Sequence, residues 1–280
     1  MVENKHGAMS DWLIASDIDG TLNNKKRKMP DNNYQAICRF VRESGGYFTL
    51  ASGRSVPSIE RFYRALPIEG MPVVVLNGAG IYDFSQNKYL DFDPMGEKAV
   101  DLILEATELF PDLGVNVYTD IGAYASGKWA YSVPLLKLDH IKYEWKPKMS
   151  EIPRENWGKV IFQGHSWRID ALKKFFGTRK NPGAEFMASS VLSHEVLGEG
   201  VNKGSALLKL AGLLGIEPSH TAGIGDYFND EGMIRAVGIS GVCGQAPSEL
   251  RELADYTACH CNYGAVADFL TFVEKKALAY

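Results

Sequence analysis

Three short apolar segments alternate with two helical patterns over the first 76 residues of this chain. Residues 12–16, 47–51 and 73–76 are apolar runs of the kind that form strands buried on both faces of a sheet. Two helical stripes lie between them: Tyr34, Ile37, Cys38 and Val41 in the first, and Ile59, Phe62, Tyr63 and Leu66 in the second. This βαβαβ alternation predicts an α/β fold with a doubly wound, Rossmann-like parallel sheet.

The same alternation returns near the C-terminus, where a helical pattern at 205–214 precedes apolar runs at 221–225 and 237–240. The residues in between have shorter, alternating strand patterns mixed with helical ones, which is typical of an α+β domain. We therefore expect two domains. Residues 1–82 and 191–280 form the core, and residues 83–190 form an α+β domain inserted into it.

The charge distribution gives no reason to expect a nucleic-acid partner. The formal net charge is −4, and the one dense basic run, at residues 25–28, is best explained as a solvated loop, with attraction of an anionic substrate as the alternative. No apolar stretch approaches the ~20 residues of a membrane span, and the N-terminus lacks the apolar core of a secretory signal. We expect a cytoplasmic protein without membrane or nucleic-acid partners; nothing in the sequence specifies its oligomeric state.

The four cysteines do not form a recognisable metal or disulfide pattern. Cys38 and Cys243 are isolated, and Cys259 and Cys261 are separated by a single histidine. This separation is shorter than the two-residue gap that is usual in zinc sites. We expect free thiols.

Acidic residues follow two of the predicted strands. Asp17 and Asp19 come directly after the first strand, and Asp226 and Asp230 follow a late one. The carboxyl ends of parallel strands meet at one edge of an open sheet, where such folds bind ligands. We therefore expect three or four carboxylates to converge there, with Gly20 allowing the backbone to turn away after Asp19.

A group of carboxylates at one place requires compensation. Two ionised carboxylates about 4 Å apart repel by roughly 4 kcal/mol at an effective dielectric constant near 20. A hard cation removes this repulsion, and a set of oxygen ligands favours Mg²⁺ over zinc. Helix capping is the alternative, and for Asp17 and Asp19 taken alone it explains the residues equally well.

Four motifs at predicted strand ends and helix starts carry a family resemblance. In order and spacing they resemble the haloacid dehalogenase superfamily, in particular its Cof-like phosphatases of subclass IIB, which contain a C2B-type cap. A further segment, Asn77-Gly78-Ala79, resembles the one that precedes this family's cap. The motifs are Asp17-x-Asp19-Gly-Thr, Ala51-Ser52-Gly53-Arg54, Asn202-Lys203-Gly204 and Gly225-Asp226-x-x-Asn229-Asp230.

The resemblance implies a mechanism for the acidic residues. Asp17 is expected to be the nucleophile that forms an aspartyl-phosphate, and Asp19 the general acid and base. Mg²⁺ is expected to be held by Asp17, the backbone carbonyl of Asp19 and Asp226. Asp230 is a further candidate metal residue, with a role as partner of the ligands as its alternative. Lys203 is expected to restrain Asp17 and neutralise phosphate charge.

The resemblance also implies residues that bind the phosphate or the rest of the substrate. Ser52 is expected to donate a hydroxyl hydrogen bond to phosphate, and its structural alternative is a helix N-cap. For Lys203, the structural alternative is an exposed position without a functional role. Arg54 is either a substrate residue or a residue at a helix edge. The other candidates are backbone or amide groups: Gly53, Asn77, Gly78 and Asn229.

The sequence departs from the family pattern at two places. The late segment that often reads Met-Gly-Asn-Ala is Cys243-Gly-Gln245-Ala here, and Tyr263 replaces a common acidic residue. Neither departure touches the four motifs. No role is assigned to Gln245 or Tyr263 from the sequence.

These observations predict a Mg²⁺-dependent hydrolase of phosphoric monoesters. The substrate is expected to be a small phosphorylated metabolite, such as a sugar phosphate, and the inserted cap is expected to select it. A phosphomutase or phosphotransferase on the same scaffold is the nearest alternative, and a non-catalytic phosphometabolite-binding protein is a more distant one. A dinucleotide-binding enzyme is disfavoured. Its candidate phosphate loops, Gly78-Ala-Gly80 and Gly223-Ile-Gly225, both lack the third glycine of the motif, and neither follows the first strand.

Overall fold

The computed structural model describes residues 7–180 and 182–278. The chain divides into two compact units. The first contains the residues up to Gly53, Ile59–Leu90 and those from Asn202 onward. The second contains Arg54–Ser58 and Asp91–Val201.

The strands and helices are numbered in chain order. The strands are β1 (Leu13–Ser16), β2 (Tyr47–Leu50), β3 (Val73–Val75), β4 (Gly80–Asp83), β5 (Lys88–Phe92), β6 (Gly114–Tyr118), β7 (Ala123–Gly127), β8 (Tyr143–Trp145), β9 (Lys159–Gln163), β10 (Ala184–Ser190), β11 (Ser193–Gly198), β12 (Thr221–Gly225), β13 (Ile239–Val242) and β14 (Tyr256–Thr257). The α-helices are α1 (Asp31–Arg42), α2 (Val56–Arg64), α3 (Glu97–Leu109), α4 (Trp129–Leu138), α5 (Ser166–Gly177), α6 (Lys203–Leu214), α7 (Glu231–Ala236), α8 (Ser248–Leu253) and α9 (Ala265–Ala277).

The central sheet of the first unit is parallel, with the strand order β14-β13-β12-β1-β2. The chain passes from β1 to β2 on one side, and β12 to β14 lie on the other. The order therefore switches direction at β1, and open α/β sheets bind ligands at the carboxyl ends of strands at such a point. The predicted α/β fold with a parallel core sheet is confirmed.

The sequence of the central strands explains their position. All four residues of β1 and all five of β12 are buried, as expected for strands covered on both faces. In this unit, α1 packs against α9, and α6 packs against α7. A second, three-stranded sheet contains β3, β4 and β5, and an isolated bridge between Ala51 and Val74 links the end of β2 to β3.

The second unit contains a six-stranded sheet in the order β10-β11-β9-β6-β7-β8, in which only the β7–β8 pair is parallel. One face carries Val115 and Phe162, which belong to a hydrophobic core shared with α3 and α5. Gly114 alternates with Val115 and therefore faces the opposite side. There a Cβ on Gly114 would lie 2.4 Å from the backbone nitrogen of Ser132 in α4, so α4 covers that face.

The unit boundaries differ from those expected from the sequence. The boundary expected at residue 83 lies inside the first unit, because the three-stranded sheet carries the chain on to Leu90. The boundary expected at 190 lies inside the second unit, because β11 pairs with both β9 and β10. Segment 54–58 also groups with the second unit. The pattern of apolar and polar residues along a strand does not reveal which distant strand it pairs with.

None of the helices in the described part of the chain is long and apolar enough to cross a bilayer. The four cysteines are free thiols, as expected.

Candidate active site

Asp17 follows β1 directly, at the switch point of the parallel sheet. Its backbone nitrogen donates a hydrogen bond to the carbonyl oxygen of Ile224 at 3.0 Å, which continues the pairing with β12 beyond the end of β1. The residue is only 5% exposed. The fold therefore holds this carboxylate inside the sheet edge and beside the end of β12.

The turn after Asp17 separates the two acidic residues of the first motif. Gly20 has a φ of +86°, in the left-handed region, and a Cβ there would lie 2.4 Å from Oδ2 of Asp226. Glycine satisfies both constraints. Asp17 is buried while Asp19 is exposed, so the side chain of Asp19 is outside the buried carboxylate group.

The end of β12 brings two more carboxylates to the same place. Oδ2 of Asp230 accepts hydrogen bonds from the backbone nitrogens of Asp226, at 2.9 Å, and Tyr227, at 3.1 Å. A Cβ on Gly225 would lie 2.2 Å from the Cγ of Asp230. The carboxylate of Asp230 therefore shapes the loop that presents Asp226.

Lys203 is the first residue of α6, and its side chain is completely buried. Asn202 caps this helix by accepting hydrogen bonds from the backbone nitrogens of Gly204 and Ser205. The Nζ of Lys203 donates to Oδ1 of Asp17 at 2.7 Å and to Oδ1 of Asp230 at 2.6 Å. A buried ammonium needs such partners, because an unpaired charge in the interior is very unfavourable.

These side chains form a charged cluster with an excess of negative charge. Oxygen atoms of Asp17, Asp226 and Asp230 all lie within 4.8 Å of one another. Burial raises the pKa of Asp17 to about 8, and Lys203 opposes this shift only in part. Burial, and then the charge of Asp230, raise the pKa of Asp226 to about 6. Burial disfavours the ammonium of Lys203, but Asp17 and Asp230 outweigh this effect and raise its pKa.

The donor chemistry of this cluster fits Mg²⁺. All three side chains offer carboxylate oxygens, which hard divalent cations prefer, and their uncompensated charge favours a dication. Asp230 already uses Oδ1 for Lys203 and Oδ2 for two backbone amides. Asp17 and Asp226 are therefore the better candidates for direct metal ligands, and Asp230 is better explained as their partner.

The second motif lies at the end of β2, next to the segment that follows β3. The backbone nitrogen of Ser52 donates to the carbonyl of Val74 at 2.9 Å, and the carbonyl of Ser52 accepts from the nitrogen of Asn77 at 3.0 Å. Ser52 is 2% exposed. Ser52 therefore joins the ends of β2 and β3. It is not the N-cap of α2, which begins at Val56.

Asn77 and Gly78 connect this segment with the third and fourth motifs. Asn77 has a φ of +57° and is buried, and its Oδ1 accepts a hydrogen bond from Nδ2 of Asn229 at 3.3 Å. A Cβ on Gly53 would lie 2.9 Å from the same oxygen. Gly78 has a φ of +105°, and a Cβ there would lie 2.1 Å from the carbonyl oxygen of Asn202. Parts of all the motif segments of the first unit are thus in contact with one another.

Arg54 is the motif residue that groups with the second unit. Its guanidinium lies 3.9 Å from the carboxylate of Asp139, just after α4. This ion pair gives Arg54 a structural partner within that unit. A role in substrate binding stays a prediction.

Two residues that contact Asp226 were missed by the sequence analysis. The hydroxyl of Thr21 lies 3.4 Å from Oδ1 of Asp226, and the side-chain nitrogen of Gln245 lies 3.5 Å from Oδ2. Both could have been found from their positions in the sequence. Thr21 belongs to the first motif, and Gln245 follows β13, which neighbours β12 in the sheet. Tyr263 is 74% exposed and does not belong to this group.

The fold and the cluster define a doubly wound α/β protein with a candidate divalent-cation centre at its switch point. Residues 14–270 match the family model described as haloacid dehalogenase-like hydrolase, and the chain therefore belongs to the haloacid dehalogenase-like hydrolase family. The recognition made from the four motifs is confirmed.

Individual relatives span nearly the whole chain. The chain is 27% identical to the 5-amino-6-(5-phospho-D-ribitylamino)uracil phosphatase YcsE of Bacillus subtilis (strain 168), covering 87% of this chain and 88% of the relative. It is also 27% identical to the HMP-PP phosphatase of Enterobacter sp. (strain 638), covering 92% and 94%. Among solved structures, a haloacid dehalogenase-like hydrolase from Bacteroides thetaiotaomicron has the same fold, with a TM-score of 0.79, 21% identity and coverage of 94% and 99%. The expected enzyme class, a hydrolase of phosphoric monoesters, is confirmed.

Proposed function

We propose that this enzyme is a Mg²⁺-dependent phosphatase that releases phosphate from a small phosphorylated metabolite through an aspartyl-phosphate on Asp17. One observation carries the proposal: the buried carboxylate of Asp17 lies at the switch point, 2.7 Å from the ammonium of Lys203 and grouped with Asp226 and Asp230. This arrangement combines a nucleophile with the positive charge that phosphoryl transfer requires.

In the first half of the proposed reaction, a carboxylate oxygen of Asp17 attacks phosphorus, and the bond between phosphorus and the ester oxygen breaks. Asp19 gives a proton to the leaving oxygen, and its exposed position lets it exchange protons with water. In the second half, Asp19 takes a proton from a water molecule that attacks the acyl phosphate. Inorganic phosphate leaves, and Asp17 is restored.

Lys203 has two tasks in this proposal. Its ammonium favours the ionised form of Asp17, which burial alone would disfavour. It also places a fixed positive charge where negative charge develops on the transferred group. When bound by Asp17, Asp226 and the carbonyl of Asp19, Mg²⁺ would neutralise the remaining negative charge of the cluster and of the phosphate.

The phosphate-binding candidates fall into two groups. Ser52, Gly53 and Asn229 remain candidates for contact with phosphate. Asn77 and Gly78 are better explained as scaffold residues, because the Asn77 amide accepts a hydrogen bond from Asn229 and lies close to Gly53, and Gly78 allows close approach of Asn202. We propose that the second unit, with Arg54, selects the leaving group, as the cap does in the family that the motifs resemble.

The substrate class is proposed as small phosphorylated metabolites in general. The two curated relatives above are named for different phosphorylated compounds, which supports the class without selecting one member. Sugar phosphates, polyol phosphates and nucleotide-derived esters are therefore all included in the test.

The experiment is a phosphate-release assay over such a panel, with Mg²⁺ and with excess chelator. We expect release from at least one ester with Mg²⁺, loss with chelator, and recovery when Mg²⁺ is restored. An acid-quenched reaction should contain phosphate bound covalently at Asp17. Activity that is indifferent to chelator would remove Mg²⁺ from the proposal. Transfer of phosphate back to a sugar without release would favour a phosphomutase.

A further inference from the structure

Gln245 lies in the loop between β13 and α8, where the sequence departs from the family pattern. Backbone hydrogen bonds fix this loop against the end of β12 and against the segment that follows β14. The nitrogen of Cys243 donates to the carbonyl of Gly225 at 3.0 Å, and the nitrogen of Gly244 donates to the carbonyl of Cys259 at 3.2 Å. The side chain of Gln245 is therefore presented from a fixed backbone and is half-buried.

The amide of Gln245 joins two loops that are distant in sequence. Its Nε2 donates to the carbonyl oxygen of Gly20 at 2.6 Å, and its Oε1 accepts from the backbone nitrogen of Cys261 at 3.0 Å. A carbonyl oxygen can only accept, and a backbone nitrogen can only donate. These two partners therefore determine which end of the amide faces the first motif.

The same amide nitrogen reaches the carboxylate of Asp226. Nε2 of Gln245 lies 3.5 Å from Oδ2, while the hydroxyl of Thr21 lies 3.4 Å from Oδ1. Each oxygen of the carboxylate thus has a side-chain donor on its own side. Gly20 leaves room for this arrangement, since a Cβ there would lie 2.4 Å from Oδ2.

We propose that Gln245 is a positioning residue for the divalent-cation centre. It holds the turn that contains Asp19 and Gly20 through the Gly20 carbonyl, and it orients Asp226 through Oδ2. The inference rests on the proposed function, because it assumes that the Asp19 carbonyl and Asp226 bind Mg²⁺. Loss of a group that orients a metal ligand typically lowers metal affinity by roughly ten- to a hundredfold.

The length of glutamine is part of the inference. Asparagine, which often occupies this position in the family pattern, is one methylene shorter. With the backbone fixed through Cys243 and Gly244, a shorter amide cannot reach both the Gly20 carbonyl and the Cys261 nitrogen at their present distances. This chain therefore uses glutamine to bridge the two loops.

The test compares Gln245→Met, which has a similar length but no donor, with the unchanged enzyme. Mg²⁺ is titrated against the thermal unfolding midpoint without substrate, and separately against phosphate release. We expect the half-saturating Mg²⁺ concentration to rise by about tenfold or more in both titrations. At saturating Mg²⁺, kcat and KM should return close to their original values. An unchanged half-saturating concentration, or a lower kcat that Mg²⁺ does not restore, would overturn the inference.

Two further variants keep the test decisive. Gln35→Ala removes an exposed glutamine side chain from α1 and should leave the Mg²⁺ titrations unchanged. Gln245→Asn keeps the amide but shortens it, and should also raise the half-saturating concentration; it carries the test if Gln245→Met does not fold. If the unchanged enzyme itself shows no response to Mg²⁺ in either titration, the proposed function fails. If it responds and both Gln245 variants respond equally, only the present inference fails.

Discussion

The two units bury polar groups in opposite ways. In the first unit, the ammonium of Lys203 is completely buried, and two carboxylates accept its hydrogen bonds. In the second unit, His194 is a buried residue with 5% exposure, and neither ring nitrogen has a hydrogen-bond partner among the residues that the structure describes. One group keeps its charge through partners, while the other is buried in a neutral form.

The surroundings explain this difference. The ring of His194 stacks with Phe176, at 5.8 Å between centroids, and with Phe186, at 6.1 Å. Burial, and then the charge of Lys173, lower the pKa of His194 to about 4, while Glu195 opposes this shift. A charged group is retained in the first unit, where the proposed chemistry requires charge. In the second unit, an aromatic core tolerates the histidine only in its neutral form.

The largest expected effect is on catalysis in the first unit. Asp17→Asn is nearly isosteric and leaves Lys203 paired with Asp230, so the fold should be kept. Turnover should fall by at least about 10⁴-fold, as expected for loss of a nucleophile. Phosphate release measures this effect, and circular dichroism measures the fold.

The matched control is Asp31→Asn, which changes an exposed carboxyl at the start of α1. It should retain the original turnover. Activity of Asp17→Asn close to that of the unchanged enzyme would contradict the role of Asp17.

Removing the ammonium tests whether the buried charges depend on one another. Lys203→Met should lower the free energy of unfolding by about 3–5 kcal/mol, because Asp17 and Asp230 lose their buried counter-charge. Denaturant unfolding without Mg²⁺ measures the change. Lys25→Met in the exposed basic run should change stability by less than about 0.5 kcal/mol. Equal effects of the two substitutions would show that the cluster is not coupled in this way.

In the second unit, the free energy of unfolding should depend on pH through His194, which is buried without its charge. The pKa of His194 is about 4 in the folded protein and 6.5 in the unfolded reference, so the unfolded chain binds the proton more readily between these values. The stability that depends on neutral His194 is fully present above about pH 6.5, and it is lost as the pH falls towards 4. It amounts to roughly 3 kcal/mol at most.

His194→Phe should remove this dependence, so the difference in unfolding free energy between variant and unchanged protein should grow in favour of the variant below pH 6.5. The exposed His165 provides the control, because His165→Phe makes the same replacement outside the aromatic core around His194. Parallel profiles for His194→Phe and the unchanged protein would contradict the burial of a neutral imidazole.

The smallest effect concerns hydroxyl groups. In the second unit, Oγ of Ser126 is buried and has no hydrogen-bond partner among the described residues. In the first, Oγ1 of Thr49 donates to the carbonyl of Pro72 at 2.6 Å. Ser126→Ala should therefore be neutral or stabilising by up to about 1 kcal/mol, whereas Thr49→Val should destabilise by about 1 kcal/mol. The same sign for both substitutions in denaturant unfolding would remove this contrast.

Much of the first unit could be predicted from the sequence because its signals are local. The apolar runs gave the strands β1, β2, β3 and β12, and the order of the motifs gave the grouping of Asp17, Lys203, Asp226 and Asp230. The carboxyl ends of neighbouring parallel strands bring such residues to one edge of a sheet. The catalytic roles of these residues remain predictions.

Other features depend on partners far away in the chain. The buried face of α1 contains Asn33, Ala36, Ile37 and Phe40, so of the predicted stripe only Ile37 is fully buried. The polar Asn33 can point inward because its side chain donates to the carbonyl of Leu22 and accepts from the nitrogen of Ala267, both at 2.9 Å. The hydrogen bonds of Gln245 could not be predicted for the same reason, since its partners are 225 and 16 residues away.

The division of the second motif has a consequence for hybrid enzymes. Gly53 groups with the first unit and Arg54 with the second, where Arg54 pairs with Asp139. A chimera that exchanges only residues 91–201 with those of a relative would therefore keep this arginine but replace the aspartate that it contacts. Grafts of the second unit should therefore carry residues 54–58 together with the larger insert.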